Sequence, residues 1–480
     1  MNDRKGFGSN FGFLMAAVGS AVGLGNIWGF PNKMGANGGF PFLILYLALA
    51  LCCGVIIMLG ELALGRKTGH GAVGAYQSIS KRFKWLGWLG IAAAALIFSF
   101  YSALGGYCLR YVVVNFGNLI GAEFGTNGVG GADVFQGLLS QPDVSIAFAL
   151  AFMLITMLVV MSGVGGGIER VCSVGMPALF FILIICIIRS CTLPGAADGL
   201  KYMFVPGWAV ANGIIDEAPG FWRVLTAAGG QMFFSLSLGA GVMITYGSYL
   251  DKKQDLGKSA MIIVGMDTVV ALMAGLCVIP GRFALDPNGA LGGPELLFIT
   301  MQNVFDKMGP AGPVFGILFY LLVFFAAISS SISMLEVIVA HFCDKAREKG
   351  KGDRRKLYSA IAVVICAALC ALVCADGMGS NHISPAELLG LAGAKLPGWS
   401  TSWLGLFDSV AEGLLMPLGA LLMCLMISWE QKPDTLRQEI LLNGENRPWV
   451  YDFFRLCVKY ITPLCMLMIL YGQISDFFIV

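Results

Sequence analysis

Apolar runs long enough to cross a bilayer, roughly 17–25 residues each, recur along almost the whole chain. They fall near 10–33, 40–64, 85–117, 144–161, 170–190, 221–249, 259–281, 310–341, 357–375, 403–428 and 450–473, and predict eleven helical spans. The runs 85–117 and 310–341 are longer than the hydrocarbon layer needs, so they predict tilted or projecting helices. Two runs are interrupted. GSAVGLGN at 19–26 and SLSLGAG at 235–241 place glycine, serine and asparagine in the middle of otherwise apolar segments. Each backbone polar group released inside hydrocarbon costs several kcal/mol unless it is paired. Close packing of small residues between helices is one use for such a stretch; a discontinuous helix that binds a solute near the midplane is another. Ser20, Asn26, Ser235 and Ser237 accompany the glycines, and the breaks lie five spans apart, in spans 1 and 6, which favours the second use. A repeat of five spans follows, about 8–190 and about 221–428. Five is odd, so the second copy is inverted, and the span at about 450–473 is an addition.

Composition agrees with the pattern. Of 480 residues, 57% are hydrophobic and 12% charged, against about a quarter charged in an ordinary soluble domain, and the mean hydropathy is +0.78. The chain reads as an all-α polytopic membrane protein, a single transmembrane domain over 1–480 embedded in the lipid bilayer. Lys and Arg set the orientation. Arg4, Lys5, Arg66, Lys67, Lys81, Arg82, Lys84, Lys252, Lys253, Lys258 and the cluster at 345–356 fall on one side, while 111–168 has none. A cytoplasmic N-terminus in the plasma membrane is expected, and an odd number of spans then puts the C-terminus on the extracellular side. The N-terminal segment lacks a signal-peptide pattern. A net charge of +2 gives no reason to expect a nucleic-acid partner. The fourteen cysteines lack C-x-x-C spacing; Cys366, Cys370 and Cys374 share a helix face and read as a helix contact.

The breaks suggest chemistry. Exposed carbonyls suit a hard cation such as sodium, and a new helix N-terminus attracts a carboxylate. The amides of Leu24 and Gly25 open the second half of span 1 toward a substrate carboxylate, and the carbonyls of Gly19, Ala21 and Val22 face sodium. In span 8, Ser329, Ser330, Ser331 and Ser333 interrupt an apolar helix, and the hydroxyls of Ser329 and Ser330 can complete a sodium cage. Ionisable groups within spans are functional by default, and Asp267 and Glu61 are the carboxylates most exposed to that argument. Asp267 can coordinate a cation and take up a proton when the cation leaves. Glu61 either serves in the same way or, the favoured reading, holds backbone freed by an unwound helix.

Together GSAVGLGNIWGFP, ELALGR, QMFFSLSLGAGVMITYGSY, the GIER loop and FFAAISSSISMLE resemble the neurotransmitter:sodium symporter family, from about residue 4 to the last span. The resemblance implies the LeuT fold, with eleven transmembrane helices in a 5+5 inverted repeat and discontinuous helices 1 and 6, and sodium-coupled import of an amino acid. It implies a substrate site similar to Ser20, Ala21, Gly25, Ile97, Tyr101, Phe234, Ser235, Ser237, Ala240, Ser330 and Met334, with the Tyr101 hydroxyl on the substrate carboxylate. One of two sodium sites resembles Ala21, Asn26, Ser235 and Asp267, completed by the substrate carboxylate; the other resembles Gly19, Val22, Ala326, Ser329 and Ser330. An inner gate is implied from Arg4 and Asp344 near Ser248 and Tyr249.

Three positions depart from the family pattern. Chloride-dependent relatives use a tyrosine, a glutamine and two serines; Tyr46, Gln231 and Ser235 match, but Ala271 replaces the last serine and Asp267 stands where those relatives have asparagine. A fixed carboxylate supplies the charge that chloride otherwise brings, so no chloride requirement is expected. Gly29 replaces the arginine of an outer gate and Ala411 aligns with its aspartate, leaving Phe234, Tyr101, Asp408 and Glu412 as candidates for outer closure. Ala240 leaves room beside Phe234, Met334 and Ile97, which favours a hydrophobic or aromatic amino acid. Other readings are a symporter of a different small zwitterion or an amino-acid sensor that does not transport. An intramembrane enzyme fits poorly: His70, His341 and His382 form no H-E-x-x-H motif, and the glycine clusters lack nucleotide-binding spacing.

Overall fold

The computed structural model describes residues 6–126, 128–290, 293–352, 354–391, 398–430, 435–441 and 448–478. All regular structure among them is helical. Among the described residues nine helices are long and apolar enough to cross a membrane, and a bent pair makes ten. The bent pair comes first: α1 (Asn10–Ala21) and α2 (Gly25–Ala36) meet at 45°. Then come α3 (Phe40–Thr68), α4 (Lys81–Ile120), α5 (Pro142–Met161) and α6 (Val164–Cys191). The predicted span at 221–249 is instead two short helices, α7 (Phe221–Leu236) and α8 (Val242–Gly247), parted at 237–241, where the sequence places its second interruption. Neither half is long enough to span alone, so the count of eleven rests on reading the two as one broken span. The remaining candidate spans are α9 (Leu256–Leu285), α10 (Gly309–Glu348), α11 (Arg355–Gly379), α12 (Trp403–Glu430) and α13 (Pro448–Ser475), with short helices in the connections between spans.

Burial inverts the usual order of a soluble protein. Val174, Phe181, Val364, Ile365 and Leu464 are exposed on the peripheral helices α6, α11 and α13, as a lipid-facing surface requires. Ser20, Asn26, Glu61, Gln231, Ser235, Asp267, Ser330 and Ser333 are buried inside. The two 40-residue helices, α4 and α10, pack most extensively on one another, bringing Tyr101 of α4 and the α10 serines to the breaks in α1–α2 and α7–α8.

Candidate functional site

The second break is built by backbone in the left-handed region. Ser237 (φ 53), Gly239 (φ 79) and Gly241 (φ 73) turn the chain away from helical hydrogen bonding. Glycine serves two of these positions because it alone enters that region without strain. The freed amides are then paired: Glu61 of α3 accepts from Gly239 N at 2.7 Å, and its carboxylate also meets the amides of Met243 and Ile244 at the start of α8. An acidic group at a helix N-terminus satisfies donors that otherwise lie bare and complements the helix dipole. Glu61 is therefore the backbone holder that the sequence favoured.

At the first break the chain passes so close to α4 and α10 that a Cβ on Gly23 would lie 2.3 Å from both the Tyr101 hydroxyl and Ser330 Oγ. This approach gathers one set of oxygens. Ser330 Oγ donates to the carbonyl of Ser20 (3.0 Å) and lies 3.4 Å from those of Gly19 and Val22. Ser329 Oγ reaches Val22 O (3.4 Å) and Ala326 O (2.9 Å). Gly19, Val22, Ala326, Ser329 and Ser330 thus converge, with neutral oxygens only, a donor set that suits a hard cation. Ser237 Oγ donates to Ser20 O at 3.1 Å, and Ser20 Oγ to Ser333 Oγ at 2.7 Å, tying both breaks to α10.

A second set surrounds Asp267 of α9. Its carboxylate accepts from Asn26 Nδ2 (2.7 Å), Ser235 Oγ (2.9 Å) and Tyr46 (3.2 Å). Asn26 turns its side-chain oxygen to Gly23 N at 2.9 Å, which leaves that oxygen one lone pair for a cation. Gln231 lies apart from this set: its Nε2 donates to Gly25 O at 2.6 Å, and its carboxamide oxygen lies against Gly29.

The Leu24 amide, expected to face a substrate carboxylate, donates to the Tyr101 hydroxyl at 2.7 Å. Accepting that bond leaves the phenolic proton free to be donated, so Tyr101 can relay the positive end of α2 to an anionic group. Gly25 packs on Phe234 and Ser235 of α7, where an added Cβ would meet them at 3.0 and 3.1 Å. Ala21, Ile97, Ala240 and Met334 are buried, and the rings of Tyr101 and Phe234 stand 6.4 Å apart.

The expected inner gate lies only in part among the described residues. Arg4 lies outside the described residues. Asp344 accepts from Gly71 N at 3.0 Å, and Ser248 Oγ bonds Thr245 O at 2.6 Å. Tyr249 donates to Glu336 at 2.6 Å, which Arg355 also holds, at 2.5 and 3.0 Å. Glu169, in the GIER loop, accepts from Gly8 N (2.7 Å) and Ser9 Oγ (2.9 Å). At the other end of the bundle, Lys33 of α2 pairs with Glu412 of α12. Glu336 ends the FFAAISSSISMLE segment, so the default for intramembrane carboxylates was sufficient to find it. Lys33 follows Gly29 by four residues, on the same helix face.

Two interrupted helices, with paired backbone ends and two oxygen clusters beside a tyrosine, define a secondary transporter rather than an enzyme. Among the described residues no group of three or more His, Cys, Asp or Glu side chains can hold a metal ion. The sequence profile of the sodium:neurotransmitter symporter family matches residues 4–127 and 132–478; the chain belongs to that family, whose members are sodium-dependent transporters. The uncharacterized sodium-dependent transporter YhdH of Bacillus subtilis is 36% identical over 477 residues, covering 97% of each chain. The uncharacterized sodium-dependent transporter MJ1319 of Methanocaldococcus jannaschii is 30% identical over 459 residues, 91% of this chain and 84% of that one. The crystal structure of MhsT in complex with L-phenylalanine matches with a TM-score of 0.83 and 34% identity, over 98% of this chain and 100% of that one, which establishes the LeuT fold.

Proposed function

We propose that this transporter imports a hydrophobic or aromatic amino acid together with sodium at two sites, by alternating access between the repeats at about 8–190 and 221–428, with the N-terminus cytoplasmic. The observation that carries this reading is the pairing of two neighbouring sets: the oxygens of Gly19, Val22, Ala326, Ser329 and Ser330, and the Asn26, Ser235 and Tyr46 groups around Asp267. The Leu24–Tyr101 bond lies between α2 and α4 beside them. A substrate carboxylate meets the Tyr101 proton, and its second oxygen completes the sodium site with Ala21, Asn26, Ser235 and Asp267. The apolar side chains of Ile97, Phe234 and Met334, with the small Ala240, take the substrate side chain. The phenylalanine bound to MhsT supports this size class.

Chloride independence follows from charge. Tyr46 and Ser235, two of the expected anion donors, already donate to the Asp267 carboxylate, so the fixed anion occupies the role. When sodium leaves, Asp267 takes a proton and carries it back. Each sodium moved down the membrane potential yields about 2.3 kcal/mol per 100 mV, and 1.4 kcal/mol is a factor of ten. Two ions alone support more than about a hundredfold accumulation, and the proton returned on Asp267 reduces the net charge moved and with it that limit.

The test is binding of labelled amino acids to purified protein in sodium and in potassium, with chloride exchanged for gluconate, followed by counterflow in proteoliposomes. Sodium-dependent, chloride-indifferent binding and counterflow of a large apolar amino acid is the expected result. Binding without counterflow makes the protein a sensor, and absence of sodium dependence for every amino acid overturns the proposal.

A further inference from the structure

We infer that Lys33 and Glu412 form the outer gate of this transporter, in place of the arginine–aspartate pair that Gly29 and Ala411 cannot make; this rests on the transport reading above. The two residues join α2, the second half of a broken helix, to α12. Their side chains are 24% and 9% exposed, and a partly desolvated pair attracts more strongly than one on an open surface. The geometry is a shift of register. Lys33 stands one turn beyond Gly29 on the same face, and Glu412 directly follows Ala411, within a π-helical stretch, Ser409–Leu415, that turns the local side chains from the ordinary helical positions. Gly29 meanwhile packs on Gln231, where a Cβ would lie 2.9 Å from the carboxamide oxygen. A large residue at 29 is thus excluded unless Gln231 moves, and the cation has moved outward by one turn.

The surroundings fit a contact that opens and closes. The pair borders a cavity of about 310 Å³, whose lining includes Arg223, Asp408 and Gln473. Asp408, one turn before Glu412, lines the same cavity beside Glu412 and Lys33 and offers Lys33 a second acceptor. The adjacent face of α2 is fastened separately: Trp28 Nε1 donates to Gly293 O at 3.2 Å, and Asn32 accepts from Gly293 N at 2.7 Å. The loop between α9 and α10 and the helix α12 therefore clamp α2 from two sides, and only the second clamp is ionic.

The experiment places a cysteine at Ala227, which lines the same cavity. Its modification by a membrane-impermeant methanethiosulfonate is followed on intact cells by peptide mass spectrometry, in sodium or potassium medium, whichever gives the slower rate in Ala227→Cys alone. Lys33→Gln and Glu412→Gln, each added to that background, are expected to speed modification at least fivefold. The exchanged pair, Lys33→Glu with Glu412→Lys, is expected to return it to within twofold. Unchanged rates in both single variants, an exchanged pair as fast as the singles, or no modification in any variant overturns the inference. The readout needs no amino acid, so failure here with sodium-dependent binding intact removes the gate alone, while loss of that binding removes the transport reading.

Discussion

The amide of Leu24, at the broken end of span 1, donates to the hydroxyl of Tyr101 on α4 at 2.7 Å. A helix terminus and a side chain from a different span thereby form one hydrogen-bonded unit. Tyr101→Phe removes both the acceptor for Leu24 and the proton for a substrate carboxylate. A buried hydrogen bond to a charged group contributes about 1.5–3 kcal/mol, so amino-acid affinity is expected to fall at least about tenfold. Equilibrium binding of labelled amino acid to the purified variant checks this; parent-like affinity would show that Tyr101 does not touch the carboxylate.

Asp267 gathers Asn26, Ser235 and Tyr46. Asp267→Asn keeps the shape and removes the charge, so the concentration of sodium giving half-maximal binding is expected to rise by about tenfold or more, and binding is expected to become stimulated by chloride. Titrating sodium in chloride and in gluconate separates the two effects. A sodium titration identical to the parent's would remove Asp267 from the cation site.

Ser329 and Ser330 complete the second oxygen set. Ser329→Ala removes one ligand from a cage of neutral oxygens and leaves the Asp267 cluster intact. The sodium titration is expected to become less steep as one of the two sites weakens. Equal steepness in variant and parent counts against two coupled sites.

Glu61 answers to stability rather than to ions. Glu61→Ala leaves the amides of Gly239, Met243 and Ile244 without their acceptor, and a buried unpaired donor costs about 1–3 kcal/mol. The midpoint of thermal unfolding in detergent is expected to drop by several degrees, while the surviving folded protein keeps parent-like sodium affinity. The reverse pattern, intact stability with lost sodium affinity, would place Glu61 in the transport path.

The elements most legible in the chain were those where a local rule is violated. GSAVGLGN and SLSLGAG break a hydrophobic period, and hydrocarbon tolerates freed backbone only where something pairs it, so the breaks at 22–24 and 237–241 could be read before any fold was known. Glu61, Asp267 and the α10 serines stood out for the same reason. Lys33 and Arg355 did not, because a cation near a span end is ordinary, and only packing brings each to its carboxylate. Asn26 was legible as a polar residue at the break, whereas the direction of its side-chain oxygen, toward Gly23, depends on neighbours far along the chain.

Hydrophobic periodicity and the price of unpaired backbone in lipid determined, from the sequence alone, that this chain is a helical membrane protein with two broken helices and carboxylates buried between them. Which groups meet was decided by tertiary structure: Tyr101 with Leu24, Tyr249 with Glu336, Lys33 with Glu412. These partners are separated by 77, 87 and 379 positions. Local propensity acts over a few residues, whereas such contacts depend on the tilt and register of whole helices, set by side-chain packing across the bundle.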